Sequence, residues 1–213
     1  MKKFICLLGL ALCCMIAFTS CESRSTEKKA DAAEKTDSVT ELVVENTISI
    51  DRQDMFLHYK NDYRWYETCI VLKDFMDDEN CDGTISGISN IFQYVIGEEG
   101  KAFDTWVVMY SHVGDTTQVD VKYGFWVEDY PLNDEVIKVT FKEAFAKLME
   151  ANCTKPHSRH CVLRKEIGAI DCNPQYIFGN SHAQVYVDAT TGEVRLNDPA
   201  FPDTFKKPLG EWP

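Results

Sequence analysis

The chain has 213 residues, of which 45% are hydrophobic, and its 34 acidic and 22 basic side chains give a net charge of −12 at pH 7. This acidic excess argues against a charge-driven interaction with nucleic acid or with anionic lipid headgroups. Once the terminal segments described next are set aside, about 170 residues remain, which is enough for one ordinary domain or two small ones.

Residues 1–20 have the pattern of a secretory signal. Two lysines precede the apolar run FICLLGLALCCMIAF, which is too short to cross a bilayer comfortably, and small residues precede Cys21. The ending FTSC resembles the lipobox of bacterial lipoproteins, although Phe18 stands where leucine is usual. The resemblance implies that Cys21 carries palmitate or a similar lipid and becomes the first mature residue. The chain would then be anchored in the bacterial cell envelope, with the outer membrane expected; an ordinary cleaved signal is the alternative.

Residues 21–40 are predicted to form a disordered tether. The sequence CESRSTEKKADAAEKTDSVT has one valine and no aromatic residue, so it cannot bury enough apolar surface to fold. Fully extended, it would span roughly 65 Å. The segment leaves the domain free to stand away from a membrane surface.

Residues 41–138 are predicted to be rich in β-strands. In LVVENTISI, Leu42–Ile50, apolar and polar residues alternate, which favours a strand. The runs WVVMY, residues 106–110, and QVDVKYGFWVED, residues 118–129, flank the short loop SHVGDTT. Two such runs around a Gly-Asp loop are typical of a β-hairpin.

The stretch DDENCDGTIS within this region resembles half of a calcium-binding loop. Asp78, Asn80 and Asp82 occupy the first three ligand positions of an EF-hand, and Gly83 occupies the turn position. Ser89 stands where the closing bidentate glutamate belongs. The flanking runs YRWYETCIVL and IFQYVI favour strands, and Asp-Gly between strands indicates a hairpin. We therefore predict a turn without a metal, with those three side chains as weak calcium candidates.

One helix stands out in the last third of the chain. Its apolar residues recur at helical spacing, and Thr140 with Glu143 forms the capping-box pattern. The runs CVLRKEI, QYIFG and AQVYVDA follow between Cys161 and Ala189 and read as strands. The predicted fold is α+β, with a mostly antiparallel sheet and one clear helix packed on it.

Five cysteines follow Cys21, and an exported chain meets an oxidising compartment in which disulfides are the default. The simplest structural interpretation is a disulfide that joins Cys161 to Cys172 across a hairpin. A zinc site in NCTKPHSRHC, with His157 and His160, is a second reading, although its spacing matches no common zinc pattern. Free buried thiols are the third, and sequence leaves all three open.

Residues 139–194 are similar in order and spacing to the PepSY-like modules of exported bacterial proteins. The capped helix VTFKEAFAKLMEA precedes three strand-like runs, and the last ends in VDATTGEV, Val187–Val194, which matches the closing-turn pattern of that family. Asp188 would cap the turn and Gly192 would take positive φ. The resemblance implies a non-catalytic envelope module that binds or restrains peptides and proteases, within a C-terminal region 139–213 that includes a tail.

Two functional hypotheses follow. The first is a lipid-anchored binding or inhibitory module without a cofactor, which contacts the membrane through Cys21 and takes a protein or peptide ligand. Exposed aromatic residues would anchor that ligand, with these candidates: Trp65, Tyr66, Trp126 and Tyr130. The second is an envelope hydrolase that uses Cys161 with His160 and His182, or a metal held by the cysteine and histidine cluster.

Overall fold

The computed structural model describes residues 42–96 and 104–201. The signal, Cys21, the tether and the tail beyond residue 201 lie outside the described residues. The helices are α1 (Val44–Tyr59) and α2 (Phe141–Glu150). The strands are β1 (Tyr63–Leu72), β2 (Ile85–Ile96), β3 (Asp104–Val113), β4 (Thr116–Tyr123), β5 (Asp129–Tyr130), β6 (His160–Glu166), β7 (Gln175–Asn180), β8 (Ala183–Asp188) and β9 (Val194–Arg195). Neither described helix is long and apolar enough to cross a bilayer.

The nine strands form one antiparallel sheet, which confirms the α+β class. Its order is β4-β3-β2-β1-β6-β7-β8-β9, and the short β5 pairs with β6. Strands β1 and β6 pair directly, with Glu67 opposite Arg164 and Val71 opposite His160. The sheet therefore continues across the expected boundary between residues 138 and 139.

The described chain contains the same topology twice. The N-terminal unit is α1 followed by the meander β1 to β4, and the C-terminal unit is α2 followed by the meander β6 to β9. The two meanders meet through their first strands and run outward in opposite directions. The sequence reading had recognised only the second unit.

The described residues form two helices and not the one predicted, because the predicted strand Leu42–Ile50 lies mostly in α1. The buried residues Val44, Ile48, Asp51 and Met55 recur at helical spacing and place one face of α1 on the sheet. Exposed apolar residues elsewhere on the helix hide this period in the sequence. The strand prediction was wrong because local alternation was read over too short a window.

Both helices contribute to one hydrophobic core on the same face of the sheet. Phe145 of α2 packs against Phe178 of β7, with ring centroids 6.3 Å apart, and Met55 of α1 is fully buried in the same cluster. Burying a side chain of this size stabilises the fold by about 1.5–3 kcal/mol. The helix-on-sheet arrangement expected for residues 139–194 is present.

The closing turn after β8 has the predicted geometry. The Asp188 carboxylate accepts hydrogen bonds from the backbone N–H groups of Thr190 and Thr191, both at 2.8 Å, and Gly192 has φ +75°. The capping box of α2 also forms, since Thr140 and Glu143 each accept a hydrogen bond from the other's backbone N–H. These local motifs follow directly from side-chain chemistry.

The predicted hairpin of β3 and β4 is present, but the strand ends earlier than the sequence suggested. The strands meet at the turn residues Gly114 and Asp115, with Val113 opposite Thr116. The ladder stops at Tyr123, and Gly124 follows with φ +146°. This backbone conformation, which favours glycine, redirects the chain out of β4.

Candidate binding site

A pocket of about 460 Å³ lies between α1 and the segment of residues 132–140 that leads into α2. Its floor comes from the sheet and is apolar: Trp65, Leu163 and Tyr176 are each at most 5% exposed. Its rim carries charged and polar side chains, including Arg52 and Lys138. A concave apolar site with a few polar groups at its edge suits a ligand with an apolar body.

The wall formed by residues 132–140 is held at both ends by hydrogen bonds. The Leu132 N–H donates to the Trp65 carbonyl at 2.7 Å, and the N–H groups of Lys138 and Val139 donate to the Ala189 carbonyl at 2.8 and 3.0 Å. The Thr190 hydroxyl adds a bond of 2.8 Å to the Val136 carbonyl. The closing turn after β8 therefore fixes one wall of the pocket.

The opposite wall is α1, which is linked to α2 through Glu45. The Glu45 carboxylate accepts a hydrogen bond of 2.7 Å from the N–H of Phe141, the first residue of α2. A negative side chain at this end of a helix is stabilising, because the first N–H groups have no partner within the helix. The contact joins the two helices at one end of the pocket.

An ion pair connects the two walls, between Arg52 of α1 and Asp134 of the segment 132–140. The two side chains are 36% and 50% exposed, so the pair contributes little to stability. Because the ion pair is weak, a ligand that enters the pocket can separate the two side chains at little cost in free energy. The Arg52 guanidinium can then pair with an acceptor on that ligand.

A buried polar network lies beneath α1 and was missed by sequence analysis. The Asn90 side chain donates to the Asp51 carboxylate at 2.7 Å, and His112 Nε2 lies 2.9 Å from the same oxygen. The Thr68 hydroxyl donates to Asn90 at 2.6 Å, and Trp65 Nε1 lies 3.1 Å from that hydroxyl. Burial raises the pKa of Asp51, and its hydrogen bonds partly offset this effect. The network connects the pocket floor to α1.

A single sequence signal would have suggested this network. Asp51 falls at a position of α1 where buried apolar residues recur, and a buried carboxylate requires partners. The strand interpretation of Leu42–Ile50 removed that signal. His112 lies on the strand face beneath Asp51, and no local pattern in the sequence connects these two residues.

The residues proposed for a hydrolase do not form one open site. Cys161 is fully buried on the helix-facing side of β6, and burial raises the pKa of its thiol well above the ordinary value. His160, the preceding residue on the strand, is exposed and points to the opposite face. His182 is exposed in the turn between β7 and β8. A protonated thiol is a poor nucleophile, so this arrangement does not support the cysteine chemistry.

The candidate disulfide between Cys161 and Cys172 does not form in the structure. Cys161 lies opposite Phe178, whereas Cys172 precedes the start of β7, at the other end of the hairpin, where Gln175 lies opposite Arg164. Three residues of strand separate those two levels, which is about 10 Å, whereas bonded cysteines need Cα atoms within about 7 Å. The candidate zinc ligand His157 has another partner, because its Nδ1 lies 2.9 Å from the Asp77 carboxylate.

The calcium candidates belong to a loop, residues 73–84, that joins β1 to β2. Strands rather than helices flank it, and Leu72 lies opposite Ile85. Asp78 accepts a 2.9 Å bond from the Asn80 N–H, and Asp82 accepts a 2.8 Å bond from the Thr84 N–H. The two strands are antiparallel as predicted, although the connection is longer than a tight Asp-Gly turn.

Gly83 in this loop has a structural role. Its φ is +81°, and a Cβ atom at this position would lie 2.7 Å from the Phe145 ring of α2. Any larger residue would displace that ring from the core. The glycine that resembles a calcium-loop turn therefore permits the loop to pack against α2.

The four aromatic candidates are not grouped on one surface. Trp65 is buried in the pocket floor, Tyr66 and Trp126 are half-buried, and Tyr130 is 44% exposed with Lys165 5.6 Å from its ring centroid. Trp126 Nε1 donates to the Asp129 carboxylate at 3.1 Å. Trp65 alone contributes to the pocket.

A cluster of acidic side chains surrounds Arg164 on the sheet face opposite the helices. Arg164 pairs with Glu166, and its guanidinium lies 3.6 Å from Asp129 and 3.8 Å from Glu67. Burial raises the pKa of Asp129 to about 7, although Arg164 acts in the opposite direction. Three carboxyl groups around one guanidinium favour a shared proton over full ionisation.

Within residues 42–96 and 104–201, no group of three or more His, Cys, Asp or Glu side chains is placed to hold a metal ion. Comparisons of the chain with models of protein families, with curated proteins and with solved structures found no match. Function is therefore inferred from the geometry of the chain itself.

Proposed function

We propose that this chain is a lipid-anchored binding or inhibitory module of the bacterial cell envelope, without catalytic activity of its own. The observation that carries the proposal is the pocket beside α1, whose buried apolar floor opens to a charged rim. The lipobox-like sequence before Cys21 supports the anchor, and residues 139–194, which resemble PepSY-like modules, hold one wall of the pocket through Ala189 and Thr190. A protein or peptide ligand fits best, since an apolar side chain would fill the floor.

The contacts of the rim define the chemistry of the ligand. Arg52 and Lys138 offer positive charge, and Ser49 and Gln53 offer neutral hydrogen-bonding groups. A peptide that inserts an apolar side chain beside an acidic or carbonyl group would satisfy both parts of the site. These two cations lie beside the acidic Glu45 and Asp134, so the site offers a local positive charge within an acidic chain.

Filling the pocket tests the proposal. Ser49→Trp adds a large ring at the rim, and Asn46→Trp adds the same ring elsewhere on α1, at an exposed position that does not line the pocket. The dye 1-anilinonaphthalene-8-sulfonate is expected to fluoresce with the wild type and Asn46→Trp, and much less with Ser49→Trp. Capture from envelope extracts should retain the same ligand with the first two proteins alone. Equal capture by all three would contradict the proposal.

The anchor is tested separately. Cys21→Ser should release the domain into the soluble fraction or leave the signal uncut, because the modified cysteine is the site of both processing and lipid attachment in bacterial lipoproteins. Metabolic labelling with a palmitate analogue measures the lipid directly. Unchanged membrane retention, processing and labelling in Cys21→Ser would contradict the anchor while leaving the pocket untouched.

A further inference from the structure

Strand β4 is an open edge of the sheet. Within the described residues it pairs on one side only, with β3. Because the β3–β4 turn has two residues and Val113 lies opposite Thr116, the backbone groups of Thr116 and every second residue after it bond to β3. The N–H and C=O groups of Thr117, Val119, Val121 and Tyr123 therefore point outward. Unpaired outward groups of this kind are a template for another strand.

The same edge carries exposed apolar side chains on the helix-facing side of the sheet. Val119, Val121 and Tyr123 are 49%, 45% and 67% exposed, although the residues opposite the two valines, Tyr110 and Val108, are buried in the core. Among the strands, helix α1 packs mainly on β1 and β2. The core therefore ends in an uncovered apolar strip.

Helix α1 adds a second apolar strip beside the first. Asp54 of α1 accepts a 2.5 Å hydrogen bond from the Tyr110 hydroxyl of β3, which identifies the flank of the helix that faces the open edge. Ile50 and Leu57 lie one turn before and after Asp54 on this flank, and they are 63% and 71% exposed. Together the two strips form an apolar channel along β4.

We propose that β4 pairs antiparallel with β4 of a second copy of this chain, in the register that places Val121 opposite Val121, so that the two sheets join into one. In this register Val119 lies opposite Tyr123 of the other copy, and Asp120 lies opposite Lys122. The outward backbone groups of Val119, Val121 and Tyr123 then bond to one another. The opposite charges of Asp120 and Lys122 meet twice, once on each side of the two-fold axis.

Neighbouring registers are less favourable for electrostatic reasons. A shift that keeps the outward groups paired places either Asp120 opposite Asp120 or Lys122 opposite Lys122, and like charges directly opposite each other destabilise a sheet. In the single chain, Lys122 lies 2.8 Å from Asp120 of the same strand, so both side chains are already on one face. The charge pattern of β4 is thus complementary to itself in one register.

The joined sheet would also bring the apolar strips of the two copies into contact. Both copies present their helix-facing sides in the same direction, because an antiparallel two-fold pairing preserves the face of a sheet. The strips of Val119, Val121 and Tyr123 from the two copies then form one floor, with Ile50 and Leu57 of each α1 at its sides. Contact between the two strips removes part of their apolar surface from water, which adds a driving force that backbone pairing alone lacks.

Charge exchange on β4 tests the register. The chain from residue 21 onward, with Cys21→Ser to prevent lipidation, is studied by sedimentation equilibrium from micromolar to millimolar concentration. Asp120→Lys alone and Lys122→Asp alone should each weaken the dimer about tenfold or more, since like charges replace both opposite-charge pairs. The double exchange should restore it, and a mixture of the two single variants should form the heterodimer preferentially.

A proline variant tests the edge without relying on charge. Val121→Pro removes an outward N–H and leaves the ladder between β3 and β4 intact, as proline is tolerated on edge strands. Circular dichroism and melting curves verify that each variant is folded. Val121→Pro is expected to be monomeric. A wild type that stays monomeric throughout the range, or a dimer that is insensitive to all these changes, overturns the proposal.

Discussion

The two units share one topology but hold their helices in different ways. Helix α2 begins with a capping box and packs through aromatic residues, with Phe145 against Phe178. Helix α1 follows Val43, whose side chain supplies no cap, and in addition to its buried apolar residues it is held to the sheet by Asp51, which contacts Asn90 and His112. One fold therefore tolerates a helix attached mainly through apolar contacts and a helix that adds a buried polar network to its apolar contacts. This difference also explains why only one helix was visible in the sequence.

The largest expected effect lies in the apolar attachment of the C-terminal unit. Phe145→Ala should lower the free energy of unfolding by about 3–5 kcal/mol, because a buried ring is lost beside Gly83 and Phe178. Denaturant titration followed by circular dichroism measures it. Met149→Ala, on the same helix but 37% exposed, is the matched control and should cost much less. Similar losses for both variants would mean that the ring does not anchor α2.

The next effect lies in the polar attachment of the N-terminal unit. Asn90→Ala removes the donor to Asp51 and the acceptor of Thr68, so two buried polar groups each lose a partner. The expected loss is about 1–3 kcal/mol. Asn46→Ala, at an exposed position of α1, serves as the control in the same melts. If the two variants melt alike, the network is not what fixes α1.

The difference between the attachments of α1 and α2 also explains which parts of the structure could be predicted from the sequence. The capping box, the closing turn and the alternating strands are local patterns, and they were found because side chains and backbone within a few residues determine them. The attachment of α1 joins Asp51 to Asn90 and His112, which are far apart in the chain. No hydrophobic period or sequence motif indicates such a contact. The exposed apolar residues Ile50 and Leu57 also obscured the helical period of α1.

The candidate site was predictable in its parts and not as a whole. Trp65 was proposed as an exposed aromatic anchor and is instead buried in the pocket floor. The closing turn was predicted to be structural, but the sequence did not show that Ala189 and Thr190 hold a wall opposite α1. The pocket depends on where the segment 132–140 passes between the two units. That path is set by contacts with distant strands, which local patterns do not encode.

A smaller effect is expected at the turn that holds the pocket wall. Gly192→Val should destabilise the fold by about 1 kcal/mol or more, since β-branched residues disfavour the φ of +75° found there. The added side chain also meets Lys147, whose flexible end can move away. Gly192→Asn carries a Cβ as well but tolerates positive φ, so its smaller loss in thermal melts would isolate the backbone contribution. Equal losses would assign the effect to the contact with Lys147 instead.

The last prediction concerns Asp129, which lies beside Arg164 where the two units meet. At acid pH its substitution is expected to change the free energy of unfolding less than any of the changes above. In the folded chain burial raises the pKa of Asp129 from 3.8 to about 7, so between these values the folded state holds a proton that the unfolded state has released. This contribution to stability is fully present below pH 3.8 and is lost as the pH rises through about 7. Asp129→Asn replaces a protonated carboxyl with a neutral amide of similar shape, so near pH 4 it should change little. Above pH 7 the variant should be the more stable protein, because it carries no buried charge beside Glu67.

The measurement is the difference in unfolding free energy between wild type and the Asp129→Asn variant from pH 4 to pH 8, with the exposed Asp115→Asn as control. A difference that does not vary with pH would mean that Asp129 stays ionised, and that Arg164 neutralises the seam between β1 and β6 without a shared proton.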